Sequence, residues 1–399
     1  MSNAARVPPA LVVLLAALVA LGPLTINLYL PAFPQIATEL HAGPGQVQLT
    51  MTAALAGLAT GHLFLGSLSD AFGRRRPLLI AFSAYAVVSA AIALTPGIAA
   101  LTALRLVQGV LGAGGMVISM AVVRDSTEGF AVGRTLARLM LVVGVAPVLA
   151  PALGSQLLLL GSWRWLFGVL AGLAALLVLL IAVALPESLP PHRRRPGGLV
   201  LATRTYLRLL SNRGLLAVVA AAGITMAGQF TYITASAFVF QEIYGLSAQG
   251  YGLLFGAGAL VVTAGTQVGG YLIGRVPEAR IARRALTVAV LGALGIAATG
   301  ALAPASSIGL VILLIALVPT LGAVGMMFPV IPAMALTRHP DDAGSTAALI
   351  GAAQFGMAAV GAPVNALLGG SVVTLGVAMA TFFGVALLVM ARLVRQEAS

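Results

Sequence analysis

The sequence contains no cysteine and no lysine, and it carries only 10 acidic residues in 399. Without cysteine, disulfides and thiolate metal sites are excluded. With 8% charged and 60% hydrophobic residues, the chain has too little polar surface to fold as a water-soluble globule. The alternation of polar and apolar residues that marks a membrane β-barrel is also missing. Metal-ligand spacings, nucleophile constellations and phosphate-binding glycine loops are absent too. An enzyme, a receptor with a soluble domain and an ATP-driven pump are therefore disfavoured, and neither cofactor nor metal is expected.

What is present is long apolar runs. Leu166 to Leu185 contains no ionisable residue, and at about 1.5 Å per residue such a helix spans the roughly 30 Å of a bilayer's hydrocarbon. Cutting the chain at charges, prolines and polar clusters predicts helices over 9–34, 46–68, 77–95, 98–122, 135–160, 164–186, 214–240, 248–274, 284–304, 307–334, 345–370 and 372–394. This is an all-α integral membrane protein of 12 transmembrane helices in two sets of six. The first set covers 1–186 and the second 213–399, joined by a polar linker over 187–212 that contains Pro190-Pro191-His192-Arg193-Arg194-Arg195-Pro196-Gly197-Gly198. Arg6 and the run from Ala10 to Gly22 have the form of a signal peptide. The run continues to Pro34, however, and reads as a retained first helix.

All 22 basic residues are arginine, giving a net charge of +12. They are dispersed over short loops, unlike the single basic surface of a nucleic-acid binder, so no nucleic-acid partner is expected. With a cytoplasmic N-terminus, 20 of the 22 fall on the cytoplasmic side and only Arg105 and Arg164 do not. This is the positive-inside pattern; it predicts that both termini are cytoplasmic, and a place in the inner (cytoplasmic) membrane is expected.

Gly66-Ser67-Leu68-Ser69-Asp70-Ala71-Phe72-Gly73-Arg74-Arg75-Arg76-Pro77 resembles the loop between the second and third helices of major facilitator transporters, with Ala71 in place of a basic residue. Gly270-Tyr271-Leu272-Ile273-Gly274-Arg275 is a weak echo of it in the second half. Arg105-Leu106-Val107-Gln108-Gly109 resembles the fourth-helix Arg-x-x-Gln-Gly signature of the same superfamily. Three further stretches are similar to the Bcr/CflA multidrug efflux branch of its 12-helix drug:proton antiporters. These are Ala146-Pro147 with Ala150-Pro151 and Gly154, Trp163-Arg164-Trp165-Leu166-Phe167, and Phe238 to Ser247. Asn27-Leu28-Tyr29-Leu30-Pro31-Ala32-Phe33-Pro34 is close to the branch's Asp-x-Tyr-Leu-Pro-Ala-x-Pro, with the carboxylate replaced by Asn27.

The resemblance implies two pseudo-symmetric six-helix bundles and a secondary active exporter of small amphiphilic drugs, working by alternating access and coupled to protons. A facilitator or importer of a small metabolite on the same fold is the alternative. Partners are then a small drug-like molecule, protons and the lipid bilayer, with the chain acting as a monomer. Gly66, Asp70, Gly73, Arg74 and Arg75 would form a conformational switch, with Asp70 against the start of the eleventh helix near Gly344 to Thr346, where the helix dipole favours an anion. A loop that merely fixes topology would account for the arginines but not for Asp70 and the glycines.

Arg105, costly in a membrane unless it faces inward, would serve coupling together with Gln108, Asn27 and His62; a snorkelling arginine is the competing reading. Every acid falls in a loop or at a span end, so no mid-membrane carboxylate remains to carry a proton. Asn27 hydrogen-bonds like a protonated Asp but cannot ionise. His62 is either a substitute titrating group or a plain hydrogen-bonding residue. Pro147, Pro151 and Gly154 would make a hinge. Polar stripes with Thr225, Gln229, Tyr232 and Ser236 in the seventh helix and Gln354 and Asn365 in the eleventh would line a substrate cavity with Asn27, unless they bond helix to helix. A cavity without an acid favours neutral or anionic compounds of the phenicol or sulfonamide type over lipophilic cations.

Overall fold

The computed structural model describes residues 8–127, 130–194, 198–303, 305–336 and 343–398. Arg6, Glu128, Arg195, Arg338, Asp341 and Asp342 of the charge pattern lie outside the described residues. Helices make up the described chain, with no strand among the described residues. Twelve of them are long and apolar enough to cross a membrane. Spans 1 to 6 are Pro9–Glu39, Pro44–Phe72, Arg75–Ala93, Ile98–Ser126, Arg138–Leu160 and Arg164–Ala184. Spans 7 to 12 are Arg213–Ile243, Ala248–Leu272, Glu278–Leu302, Ser307–Ala335, Gly344–Leu367 and Val372–Leu393.

Local chemistry sets the span starts. Pro44 opens span 2, where a missing N–H costs nothing. Asn212 Oδ1 accepts from the Leu215 N–H at 3.0 Å and Ser247 Oγ from the Gly250 N–H at 3.1 Å, capping spans 7 and 8. Ser306 does the same for Gly309 at 2.9 Å before span 10. Span 1 is broken: a helix over Pro9–Asn27 gives way to a tight turn over Leu30–Ala32 and a short helix over Phe33–Glu39. Span 5 belongs to one helix over Phe130–Leu157 that runs unbroken through Pro147 and Pro151.

Spans 1 to 6 pack among themselves, and so do spans 7 to 12. Lipid supplies no hydrophobic drive between helices, so close backbone contact over small residues holds them. On spans 2 and 4, Gly57 and Gly109 lie so close to the facing backbone that a Cβ would strike the carbonyls of Leu106 and Ala54. The second half repeats the device between spans 8 and 10, where Gly265 and Gly325 abut the carbonyls of Gly322 and Val262. Spans 8 and 10 are the second and fourth spans of their half, as spans 2 and 4 are of theirs. The halves meet along two seams, span 2 against span 11 and span 5 against span 8.

Most span ends fall within a few residues of expectation, and two differences stand out. Span 9 begins at Glu278 instead of 284, because a helix can carry Arg280, Arg283 and Arg284 beyond the hydrocarbon, where they are solvated. The linker is also not all loop. It contains a helix over Gly198–Leu210 that rests on spans 2, 7 and 11, with Leu209 buried and Leu207 exposed.

Candidate functional site

The fully buried guanidinium of Arg105 sits inside the first half, among spans 1, 3, 4 and 6. Its Nη1 donates to the Thr25 carbonyl at 3.1 Å and to Gln108 Oε1 at 2.6 Å. Gln108 in turn donates to Ser89 Oγ at 2.8 Å, and the Thr25 and Tyr85 hydroxyls share a hydrogen bond of 2.6 Å. The Tyr29 ring lies under the guanidinium at 4.2 Å and Phe167 lies at 5.7 Å. Nε and Nη2 have no partner, and none of the ion pairs among the described residues includes Arg105. A buried charge without an anion costs several kcal/mol. Here two charge-assisted hydrogen bonds, each worth about 1.5–3 kcal/mol, and stacking on Tyr29, about 0.5–2 kcal/mol, offset that cost.

Arg105 and Gln108 are thus brought together, whereas Asn27 and His62 are placed elsewhere. Asn27 is buried and donates through Nδ2 to the Pro23 carbonyl one turn back, at 2.8 Å. His62 is buried on the seam between spans 2 and 11. Its Nδ1 donates to the Leu58 carbonyl at 2.9 Å, and its ring centre lies 5.0 Å from that of Phe355. In the hinge stretch, Gly154 lets span 5 approach the Leu28 carbonyl just beyond the break in span 1, and Pro151 and Ser155 pack against Gly252 of span 8.

At the other end of the first half, Arg74 gathers the charges. It pairs with Asp70 at 2.5 Å and Asp125 at 2.8 Å, and donates to Ser69 Oγ at 2.7 Å. Burial disfavours its charge, but hydrogen bonding and attraction from Asp125 and Asp70 outweigh burial and raise its pKa. Gly73 adopts φ +90°, and a Cβ there would strike the Glu187 carboxylate. That carboxylate accepts from the N–H groups of Arg74 (2.8 Å) and Arg75 (3.3 Å) at the start of span 3, from Leu189 at 3.0 Å, and stands 4.0 Å from Arg194. Burial works against the charged form of Glu187, yet these N–H donors, followed by Arg194, hold it below its ordinary pKa. The side chain of Arg75 reaches the Ala182 carbonyl. A Cβ on Gly66 would lie 3.2 Å from Val117 of span 4. Asp70 pairs with Arg74 and remains half exposed; no hydrogen bond joins it to Gly344 or Thr346 among the described residues.

The polar stripe of span 7 divides. Thr225 and Gln229, with Gln354 of span 11 and Met226, Met327 and Phe328, line a small recess. Gln229 Oε1 is buried there without a partner. Ser236 instead bonds the Tyr251 hydroxyl at 2.9 Å, Tyr232 stacks on Phe255 with ring centres 6.2 Å apart, and Asn365 accepts from Thr374 at 2.8 Å. Those three tie helix to helix. Glu187, Asp125 and Tyr29 were not foreseen as site residues. A Glu directly after the proline that ends span 6 was the available signal for the first.

A family model described as Major Facilitator Superfamily matches residues 15–362. "Uncharacterized MFS-type transporter YdgK" of Bacillus subtilis (strain 168) is 38% identical over 346 residues, covering 86% of this chain and 85% of that protein. "Bicyclomycin resistance protein homolog" of Haemophilus influenzae (strain ATCC 51907 / DSM 11121 / KW20 / Rd) is 28% identical over 340 residues, covering 85% and 84%. Among solved structures, the xylose transporter XylE from E. coli, in a partially occluded inward open conformation, superimposes with a TM-score of 0.73 at 14% identity, covering 96% of this chain and 97% of that one. A bacterial homolog of the human lysosomal transporter Spinster gives 0.74 at 14% identity, covering 96% of each chain. The chain belongs to the major facilitator superfamily. It is a multi-pass membrane transporter with 12 spans and not an enzyme, and its similarity to a bicyclomycin resistance homolog bears out the Bcr/CflA resemblance of its motifs.

Proposed function

We propose that this chain is a secondary active exporter of small amphiphilic drugs, working by alternating access and coupled to protons. The observation that carries this reading is the recess beside Gln229. Its lining is methionine, phenylalanine and aliphatic side chains with Thr225, Gln229 and Gln354 as the polar groups and no charge. Such a surface suits a compact, mostly apolar molecule that offers one or two hydrogen bonds, and methionine adapts to varied shapes. A sugar or other polyhydroxylated metabolite would leave most of its hydroxyls unpaired there. The names of relatives, bicyclomycin and multidrug resistance proteins among them, support the same direction.

In this reading residues 1–186 and 213–399 rock as two bundles about the seams, joined by 187–212, in the inner membrane with both termini cytoplasmic, and one chain suffices. Arg105 and Gln108 serve coupling, with Asn27 in the place of the branch's carboxylate. Gly66, Asp70, Gly73, Arg74 and Arg75 form the switch, while Pro147, Pro151 and Gly154 let span 5 flex against spans 1 and 8. The test is accumulation of a neutral phenicol, an anionic sulfonamide and a lipophilic dication in cells expressing the protein, with the proton gradient intact and collapsed. Export of the first two, lost on collapse, is expected. Preferential export of the dication, or flux indifferent to the gradient, would overturn the reading and favour a facilitator.

A further inference from the structure

Spans 2 and 11 run antiparallel and in contact along a seam between the halves. Near the loop before span 2, a Cβ on Gly45 would lie 3.5 Å from Ala366 Cβ. Further along, Gly356 approaches Ala59 and Gly351 approaches the His62 ring. The residues are small, so the helices close tightly. His62 is the one ionisable side chain within the membrane-spanning part of span 2, and span 11 carries none from Gly344 to Leu367. Because Nδ1 faces the Leu58 carbonyl, the neutral ring holds its proton there. Nε2 keeps a lone pair that is buried and has no partner. Across the seam the ring meets Phe355.

We propose that His62 is a proton-operated latch. The neutral ring lets spans 2 and 11 close over it, and a proton taken up at Nε2 drives that part of the seam open to water. An imidazolium in the closed seam would have to leave water without an anion. One contact with the face or edge of a phenyl ring returns only a small part of that cost.

Among the described residues, no group around the ring relieves it. On span 4, which packs on the other side of span 2, Gly61 sets Ala113 and Val110 at this level. Arg105 lies two turns nearer one end of that helix, and Arg124 and Asp125 lie at the other end. On span 2 itself Asp70 is two turns away and paired with Arg74. The linker helix brings Tyr206, whose hydroxyl donates to the Leu63 carbonyl at 3.5 Å, along with Arg204 and Arg208. Span 3 contributes Arg75, held at the Ala182 carbonyl, and Arg76 and Tyr85, the latter bonded to Thr25; span 7 contributes Arg213 at its start and Tyr232 on Phe255. The short helix that ends span 1 carries Glu39, which pairs with Arg164. None of these is an anion at Nε2, so opening to water is the remaining way to stabilise the charge.

The proposal rests on the alternating-access reading, but its test needs no substrate, so failure to find an exported drug and failure of the latch are separate results. Because the chain has no cysteine, introduced pairs report alone. Ala59→Cys with Gly356→Cys places two Cβ atoms about 4 Å apart, the separation a disulfide requires. Gly45→Cys with Ala366→Cys samples the far end of the same seam. The full chain in proteoliposomes is cross-linked with a short bismethanethiosulfonate between about pH 8 and about pH 5.5, the range over which imidazole titrates.

Relative to the same pair in a His62→Gln background, cross-linking at 59/356 is expected to fall about tenfold towards low pH, equivalent to one unit of difference in ring affinity between open and closed seam. The 45/366 pair should not fall with it. Equal pH profiles in the His62 and His62→Gln backgrounds would overturn the latch. Should His62→Gln fail to assemble, the ring itself can be titrated by NMR in the 59/356 double variant with its thiols free and oxidised. By reciprocity, locking the seam must make the ring about tenfold harder to protonate; unchanged titration would overturn the proposal.

Discussion

Tyr29 carries the guanidinium of Arg105 on its ring face at 4.2 Å, and the same ring sits edge-on to Phe33 at 5.0 Å, which in turn touches Phe238 of the second half at 5.9 Å. A single charge without an anion is therefore stacked at one end of an aromatic row that reaches across to span 7, close to where Gln241 donates to the Pro31 carbonyl at 3.2 Å. This geometry predicts unequal effects at Tyr29. Tyr29→Phe keeps the ring and loses only the hydroxyl's long contacts with Thr50 at 3.3 Å and Met51 Sδ at 3.8 Å, so transport should stay within about twofold. Tyr29→Leu removes the stack, worth about 0.5–2 kcal/mol, and transport should drop about 3- to 30-fold. Arg105→Lys loses the planar fork as well and should fall below either. Drug accumulation measured side by side checks the order.

Asn27 donates to the Pro23 carbonyl, and an ionised carboxylate cannot make that bond while a protonated one can. Asn27→Asp therefore makes the end of the first helix sensitive to a proton. Proteoliposome efflux by the variant should become steeper with pH than that of the parent chain. If both respond to pH alike, position 27 carries no coupling and the role passes to another residue.

Glu187 fastens the start of span 3 to the end of span 6. Its folded-state pKa lies below the ordinary carboxylate value of 4.5, lowered on balance by the N–H groups of Arg74, Leu189 and Arg75 against burial. The sign follows: its contribution is complete above the ordinary value and is lost as pH falls through the lowered one. Melting in detergent should be flat from neutral pH down to about 4.5 and fall below it for this group. Glu187→Gln should cost about 1–3 kcal/mol at neutral pH and remove that part of the acid dependence.

The span pattern was legible because lipid makes a blunt demand: Leu166 to Leu185 or the run after Pro44 can hardly be anything but a crossing. Charges mark crossings less sharply, and for that reason the sequence pattern leaves Arg280 and Arg283 in the loop although they belong to the helix of span 9. The linker helix was missed for a related reason. Its arginines and Pro-Gly neighbours dominate, while Tyr206, Leu209 and Leu210 follow a helical spacing that becomes meaningful only with spans 2, 7 and 11 beneath it. For the site, Arg105 and Gln108 could be paired from their spacing of three on one helix. Ser236 and Asn365 have the same polar character as Gln229 and Gln354, and nothing along a single helix says that a Tyr251 or a Thr374 will come to satisfy them.

Backbone contact between spans 2 and 4 makes its glycines sensitive to a single methyl. A Cβ at Gly109 would strike the Ala54 carbonyl and one at Gly265 the Gly322 carbonyl, whereas Gly144 and Gly168 have nothing within 4 Å. Gly109→Ala and Gly265→Ala should each destabilise by about 1–3 kcal/mol as forced overpacking. Gly144→Ala and Gly168→Ala should be neutral or slightly stabilising, since alanine is the better helix former. Detergent melting temperatures of the four variants make the comparison internal to one protein.

Gln229 presents a buried acceptor to the recess with no partner of its own. A ligand that donates a hydrogen bond to it gains about 1–3 kcal/mol over an analogue that cannot, because the analogue leaves the amide oxygen unpaired. Gln229→Leu abolishes that difference while keeping the apolar lining of Met226, Met327 and Phe328. Export of an amide- or hydroxyl-bearing compound should then weaken about tenfold, and export of a fully apolar analogue of the same size should hold or improve. Gln354, across the recess on span 11, serves as the comparison: Gln354→Leu should shift preference in the same direction but less, since it is only half-buried. Parallel losses for both compounds in Gln229→Leu would place the ligand outside the recess.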